Sequence, residues 1–310
     1  MNISSTGSES DTTSRLPYDL ERLIFEVAAF DWTPRHSCKL LLVAKRVHEW
    51  VRPFVYRIFV QSGRSKFPDF ANYPSPRLED VAKYAKHLTI AGYGLDDIGS
   101  TLSACTNVHD LVMRFPARPR TVLPAMRNLR LKRLSANIFD LGPERMLHPT
   151  FCNITHLEVP LIEAPPARWD PVAKLPKLTH LLIHNGTQPD PIHYCLAHCK
   201  ALRVLVFLIY FGMAPPNYLQ DLAKIGDGRL VLMCCRDPRE YRQIWLDGVR
   251  GGPDIWSSAD LFLLARKNGF LRDSTRTHVS PDWDEELTDE GKKWFSTLCV
   301  PSKPEDPEFP

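Results

Sequence analysis

Between residues 85 and 235, polar and apolar positions alternate in short runs that return at near-constant spacing. The runs are Lys86-His87-Leu88-Thr89-Ile90, His109-Asp110-Leu111-Val112-Met113, Lys132-Arg133-Leu134-Ser135-Ala136, Thr155-His156-Leu157-Glu158-Val159, Thr179-His180-Leu181-Leu182-Ile183 and Arg203-Val204-Leu205-Val206-Phe207. A weaker seventh is Arg229-Leu230-Val231-Leu232. The central leucines stand at 88, 111, 134, 157, 181, 205 and 230, in steps of 23, 23, 23, 24, 24 and 25. Two residues after each anchor the chain is always apolar, from Ile90 to Leu232. Three before the anchors at 111 to 205 stand Val108, Leu131, Ile154, Leu178 and Leu202. Alternation predicts a strand at each anchor. The segments between, such as Asp97–Ala104 and Pro191–His198, read as short helices. A strand and a helix every 20–29 residues form a unit that buries its leucines only by stacking on its neighbours.

Residues 16–60 follow a different period. Pro17 suits a first helical position, and Leu20, Leu23, Ile24 and Val27 form the i, i+3, i+4, i+7 stripe of an amphipathic helix. Trp32-Thr33-Pro34 breaks it. A second helical stretch is predicted from Arg35, apolar all round at Leu40–Ala44, continuing through Val43, Val47 and Trp50 until Pro53. In this segment 26 of 45 residues are apolar, against 44% in the whole chain. A helical unit of about 45 residues lies near the lower size limit of independent folding. Its apolar faces exceed what its own core can hide, so it either caps the repeats or offers a face to a partner.

Two resemblances follow from these residues. Leu16-Pro17-x-Asp19-Leu20-x3-Ile24, then Leu42-Val43-x-Lys45-Arg46-x3-Trp50 and Pro53-x2-Tyr56, resembles the F-box motif over about one seventh of the chain. The resemblance implies a three-helix unit that docks on the Skp-type adaptor of a cullin–RING ubiquitin ligase. By position it implies contacts at Leu16, Pro17, Leu20, Ile24, Val43 and Trp50, with Lys45 and Arg46 at the rim. The loop Phe30–Cys38 departs from the pattern, being longer and carrying Trp32. The 23–25-residue periodicity resembles a leucine-rich repeat, though the asparagine that usually follows the strand is mostly missing. The expected fold class is therefore α/β: a small all-α F-box-like module followed by a leucine-rich-repeat-like solenoid. Expected bounds are a disordered tail at 1–15, the helical module at 16–60 and a linker or N-terminal cap at 61–84. The solenoid of about seven units covers 85–235, a C-terminal helical cap 236–299 and a second disordered tail 300–310.

Residues flanking each anchor point away from the core, because side chains alternate along a strand. On that face the early repeats carry Arg114, Arg133, His156, His180 and His184, and the late ones Leu182, Val206, Leu208, Val231 and Met233. The expectation is a concave face, polar then apolar, that binds a protein target through Arg114, Arg133, His156, His180, Leu182, His184, Val206 and Leu208. The alternative is that the C-terminal helices fold over the apolar half, and burial of Val206 and Leu208 decides between the two.

Composition narrows the function classes. A formal charge of +3 gives no general reason to expect nucleic acid as partner. The longest apolar run, Val204–Met213, is half of what spans a bilayer. Met1–Ser14 lacks the basic-then-apolar order of a signal peptide. The eight cysteines lie mostly in apolar segments and are expected as reduced, buried thiols in a cytoplasmic or nuclear protein. Prolines, 27 of 310 residues, mark fixed turns between short elements. His193, Cys195, His198 and Cys199 crowd together, but Cys199 falls in the apolar column of Cys105, Phe151 and Leu175, so neither metal nor cofactor is expected. Cys234-Cys235 point to opposite sides of one strand. Arg250-Gly251-Gly252-Pro253-Asp254 reads as a turn into a helix, with Trp256 packing on the last repeat. No nucleophile elbow, phosphate loop, dinucleotide fingerprint or H-E-x-x-H pattern occurs, so no catalysis is expected. The reading that results is a non-enzymatic substrate receptor of an SCF-type ubiquitin ligase. Its rivals are a repeat scaffold unconnected to ubiquitin and, further off, an unrecognised hydrolase on a repeat frame.

Overall fold

A computed structural model describes residues 16–31, 34–62, 65–66, 77–91, 98–114, 122–160, 166–184, 189–210, 218–273, 278–279 and 283–298. Trp32, the Pro-rich stretch 67–76, Cys299 and both expected tails lie outside them. The chain divides into two compact units, Met1–Val55 and Tyr56–Pro310.

The first unit holds three helices that pack on one another: α1 (Tyr18–Asp31), α2 (Pro34–Leu40) and α3 (Lys45–Val55). The expected single stretch from Arg35 to Pro53 is two helices. Leu41, Leu42 and Val43 donate their amides to Cys38, Lys39 and Leu40, three residues back. That tightened last turn ends α2, and Leu42 and Val43 are left exposed. Pro53 does not end α3, which runs on to Val55.

In the second unit, ten strands among the described residues form one sheet in the order β10-β9-β8-β7-β6-β5-β4-β3-β1-β2. From β3 to β9 they are His87–Ala91, Asp110–Met113, Arg133–Ser135, His156–Pro160, His180–His184, Val204–Tyr210 and Leu230–Cys235. All are parallel, and the register joins Leu88, Leu111, Leu134, Leu157, Leu181, Leu205 and Leu230 in one row. Every one of these leucines is buried. Parallel neighbours need crossovers of a dozen or more residues, and helices such as Ile98–Ala104 and Asp190–His198 lie in them. The architecture is an open α/β sheet of solenoid-like, sequential order.

The row begins one strand earlier than the leucines announce. β1 (Ile58–Ser62) pairs in parallel with β3, placing Phe59 beside Leu88. A repeating backbone feature marks the same start. The carbonyl of Arg57 accepts from Lys86 and His87, that of Lys86 from His109 and Asp110, and so on through His109, Lys132, Thr155 and Thr179. β2 (Ser65–Lys66) adds an antiparallel edge to β1, and β10 (His278–Val279) extends the opposite edge beyond β9.

After β9 the helices Pro238–Val249 and Ile255–Lys267 cross the face opposite the leucine row. Asp237 caps the first, its side chain accepting from the amides of Arg239 and Glu240. Asp254 and Ser257 form a reciprocal capping box on the second. Gly251 supplies the turn between them with a φ of 94°, a conformation that disfavours side chains. A last helix, Asp289–Thr297, follows a short 3-10 turn at Trp283–Glu286. No helix among the described residues is long and apolar enough to cross a membrane.

Candidate functional sites

Two surfaces concentrate the residues singled out in the sequence. The first lies on the helical unit. Leu16 (57%), Leu20 (49%), Ile24 (53%) and Val43 (57%) are exposed. Leu23, Val27 and Leu42 are exposed as well, so α1 turns a continuous apolar stripe outward. Pro17, Lys45 and Arg46 are also on the surface. Arg46 Nη2 donates to Glu21 Oε1 at 2.7 Å, joining α3 to α1 at a position where an ion pair adds little stability. Trp50 differs from its expected role. It is buried, with Tyr18 edge-on at a ring separation of 4.9 Å and Phe25 at 6.5 Å. Its ring is core of the unit rather than a contact surface.

The second surface is the face of the sheet. Leu182, Val206 and Leu208 are fully buried, with Val231 and Met233, against Tyr241, Ile255, Trp256 and Phe262 of the crossing helices. The expected apolar half of the target face is therefore not an open surface but the roof of a second core. Most of the polar residues expected there are also engaged. Arg133 Nη1 donates to Asp254 Oδ2 at 2.6 Å, tying the third anchor strand to the cap of the helix Ile255–Lys267. His156 and His180, neighbours across strands about 4.8 Å apart, stack at 4.2 Å and 7°. Trp256 meets both rings edge-on, so it packs on the middle repeats rather than the last. His180 Nε2 lies 3.2 Å from Asp260 Oδ2. Burial, then the neighbouring His180 and Arg133 cation, push the His156 imidazole down to about 3.

Arg114 and His184 keep an open side. Arg114 Nη2 donates to Glu158 Oε1 at 2.9 Å and its Nη1 to Ser135 Oγ at 2.9 Å. His184 Nε2 lies 2.6 Å from the same Glu158 oxygen, and its Nδ1 3.4 Å from the Tyr210 hydroxyl. Burial opposes the charge on Glu158, yet Arg114 and His184 hold its carboxyl far below the usual range. The Tyr241 phenol, buried beside Glu158, is raised well above its ordinary value, by burial first and by that carboxylate second. Compared with known proteins, the chain matches no family model and no curated protein.

A cleft of about 370 Å³ opens between the early strands and the helix Pro238–Val249. Arg114 and His184 line it, with Tyr241 and Trp245 of the helix and Val112 of β4. Glu158 and Tyr241 carry the chemistry of this corner, and sequence reasoning named neither as a site residue. The signal for Glu158 was available: it is the only acid in the column after the anchors, between Ser135 and Leu182. Tyr241 had none, because its approach depends on where the helix crosses.

The remaining clusters do not converge. Cys195 and Cys199 are buried while His193 and His198 are exposed, with His198 stacked on Tyr194 at 4.1 Å. Among the described residues no group of three His, Cys, Asp or Glu side chains is placed to hold a metal. The seven described cysteines are free thiols, five of them buried; Cys152 is exposed, unlike the expectation for the set.

Proposed function

We propose that this chain is a non-catalytic substrate receptor of an SCF-type cullin–RING ubiquitin ligase. The F-box-like unit holds a Skp-type adaptor, and the leucine-rich-repeat-like sheet presents a protein target. A receptor of this kind contributes proximity and orientation by tethering, while the transferring cysteine belongs to other subunits. The observation that carries the reading is the outward apolar stripe Leu16, Leu20, Ile24 and Val43. An amphipathic helix ordinarily turns that stripe inward, and contiguous exposed apolar surface marks an interaction site. The rim cations Lys45 and Arg46 beside it add a polar border. Trp50 leaves the contact set and keeps a supporting role beneath α1.

Capture of a purified Skp-type adaptor by the immobilised full chain tests the proposal. A Leu16→Ala, Pro17→Ala, Ile24→Ala variant is the comparison, because all three positions are exposed, and circular dichroism checks that it folds. Capture by the wild type alone supports the receptor reading. Capture by neither reduces residues 16–55 to an end cap on a repeat scaffold.

A further inference from the structure

We propose that the cleft beside the helix Pro238–Val249 is the target-recognition site, and that it takes a peptide segment bearing an aromatic side chain next to a carboxylate. The proposal rests on the receptor reading for the nature of its occupant, and on the cleft itself for the chemistry.

At about 370 Å³ the space exceeds one side chain and falls within the range of sites that bind specific ligands. Ala91, Val112, Tyr241 and Trp245 make most of its wall apolar and aromatic. Flat rings pack well against such walls. Thr89 belongs to the same wall, its hydroxyl buried and without a hydrogen-bond partner among the described residues.

Charge selects the second element. Glu158, the carboxylate behind the cleft, is held by Arg114 and His184 and leaves no net negative field there. Arg242 lines the cleft, is exposed and has no carboxylate partner among the described residues. The acids nearest it on its own helix are engaged elsewhere: Glu240 with Arg236, and Asp237 with the helix amides. Among the described residues the cleft therefore presents one cation without a carboxylate partner, Arg242, beside the aromatic rings of Tyr241 and Trp245. That arrangement complements an aromatic residue flanked by an acid. The covered apolar half of the face supplies no competing anchor.

Selection of a displayed random heptapeptide library on the immobilised full chain tests this, with an Ala91→Trp chain, shown folded by circular dichroism, as counter-target. Peptides retained by the wild type and lost on Ala91→Trp are expected to carry an aromatic residue within two positions of an acid. The leading peptide, labelled with fluorescein, is expected to bind an Arg242→Glu chain about tenfold or more weakly. If Ala91→Trp does not fold, the exposed Arg242→Glu change carries the test alone. No retained peptides, peptides lacking the aromatic–acid pair, or binding unmoved by Arg242→Glu would overturn the proposal. So would free N-acetyltryptophan binding as tightly as the peptide, which would assign the cleft to a small molecule. The adaptor takes no part in these measurements, so their failure and that of adaptor docking are read separately.

Discussion

Glu158 is the residue that holds Arg114 and His184 on the sheet face. Its side chain is 6% exposed and answers Arg114 and His184 at one oxygen. Glu158→Gln leaves both partners facing a neutral group. Breaking a buried pair costs about 3–5 kcal/mol, and since the Arg114 side chain is 38% exposed and screened by water the expected loss is nearer 2 kcal/mol. Urea denaturation of the variant measures it.

His156 and His109 contribute to the acid response. His156 resists protonation until about pH 3 in the folded chain, while an unfolded histidine takes up its proton near 6.5. Burial, with His87 nearby, pushes His109 down to about 4, in the same sense. The unfolded chain therefore binds more protons across this window, and stability falls as pH drops below 6.5. His156→Phe keeps a ring between His180 and Trp256 but removes the titration. Denaturation midpoints at pH 7.5, 6.5 and 5.5 are expected to fall less steeply for the variant than for the wild type. Equal slopes would assign the acid sensitivity to other groups.

At the scale of elements, the two kinds of leucine stripe separate sharply. Leu157 lies in the fully buried row between Leu134 and Leu181. Leu157→Ala is expected to cost about 3 kcal/mol through lost burial and the cavity left behind. Leu20→Ala on the exposed face of α1 is expected to stay within about 0.5 kcal/mol. Thermal melts of the two variants side by side check both values.

The row itself was legible because each anchor repeats a local pattern whose neighbours agree, so seven weak signals reinforce one another. β1 was missed because its place in the row is held by Phe59, 29 residues before Leu88, after which no second copy helps. The break between α2 and α3 was hidden for the opposite reason. Leu40 to Ala44 is apolar throughout, and such a run carries no sign of the exposed turn that Leu42 and Val43 make.

At the scale of the repeat-bearing unit, the helices after β9 decide which part of the sheet face is available. Their existence was readable as a C-terminal helical cap over 236–299, with Arg250–Asp254 turning into a helix. Their destination was not, because an amphipathic helix states that it packs and not upon what. Arg133 with Asp254 and His180 with Asp260 fix that destination through residues 121 and 80 positions apart. A chain ending at Asp237 would uncover Leu182, Val206, Leu208 and Val231 together. Such a chain is expected to aggregate or to bind a hydrophobic dye strongly. A soluble, dye-silent truncation would contradict the role given to these helices.

The proposed receptor function stands or falls on the outward stripe of the helical unit. The most direct measurement is a calorimetric titration of a purified Skp-type adaptor into the full chain, with a Leu20→Glu, Ile24→Glu variant in parallel. The account predicts a one-to-one complex with the wild type and at least about a hundredfold weaker binding by the folded variant, since two buried apolar contacts would become charged. Binding that is absent in the wild type, or equal in both, would contradict it.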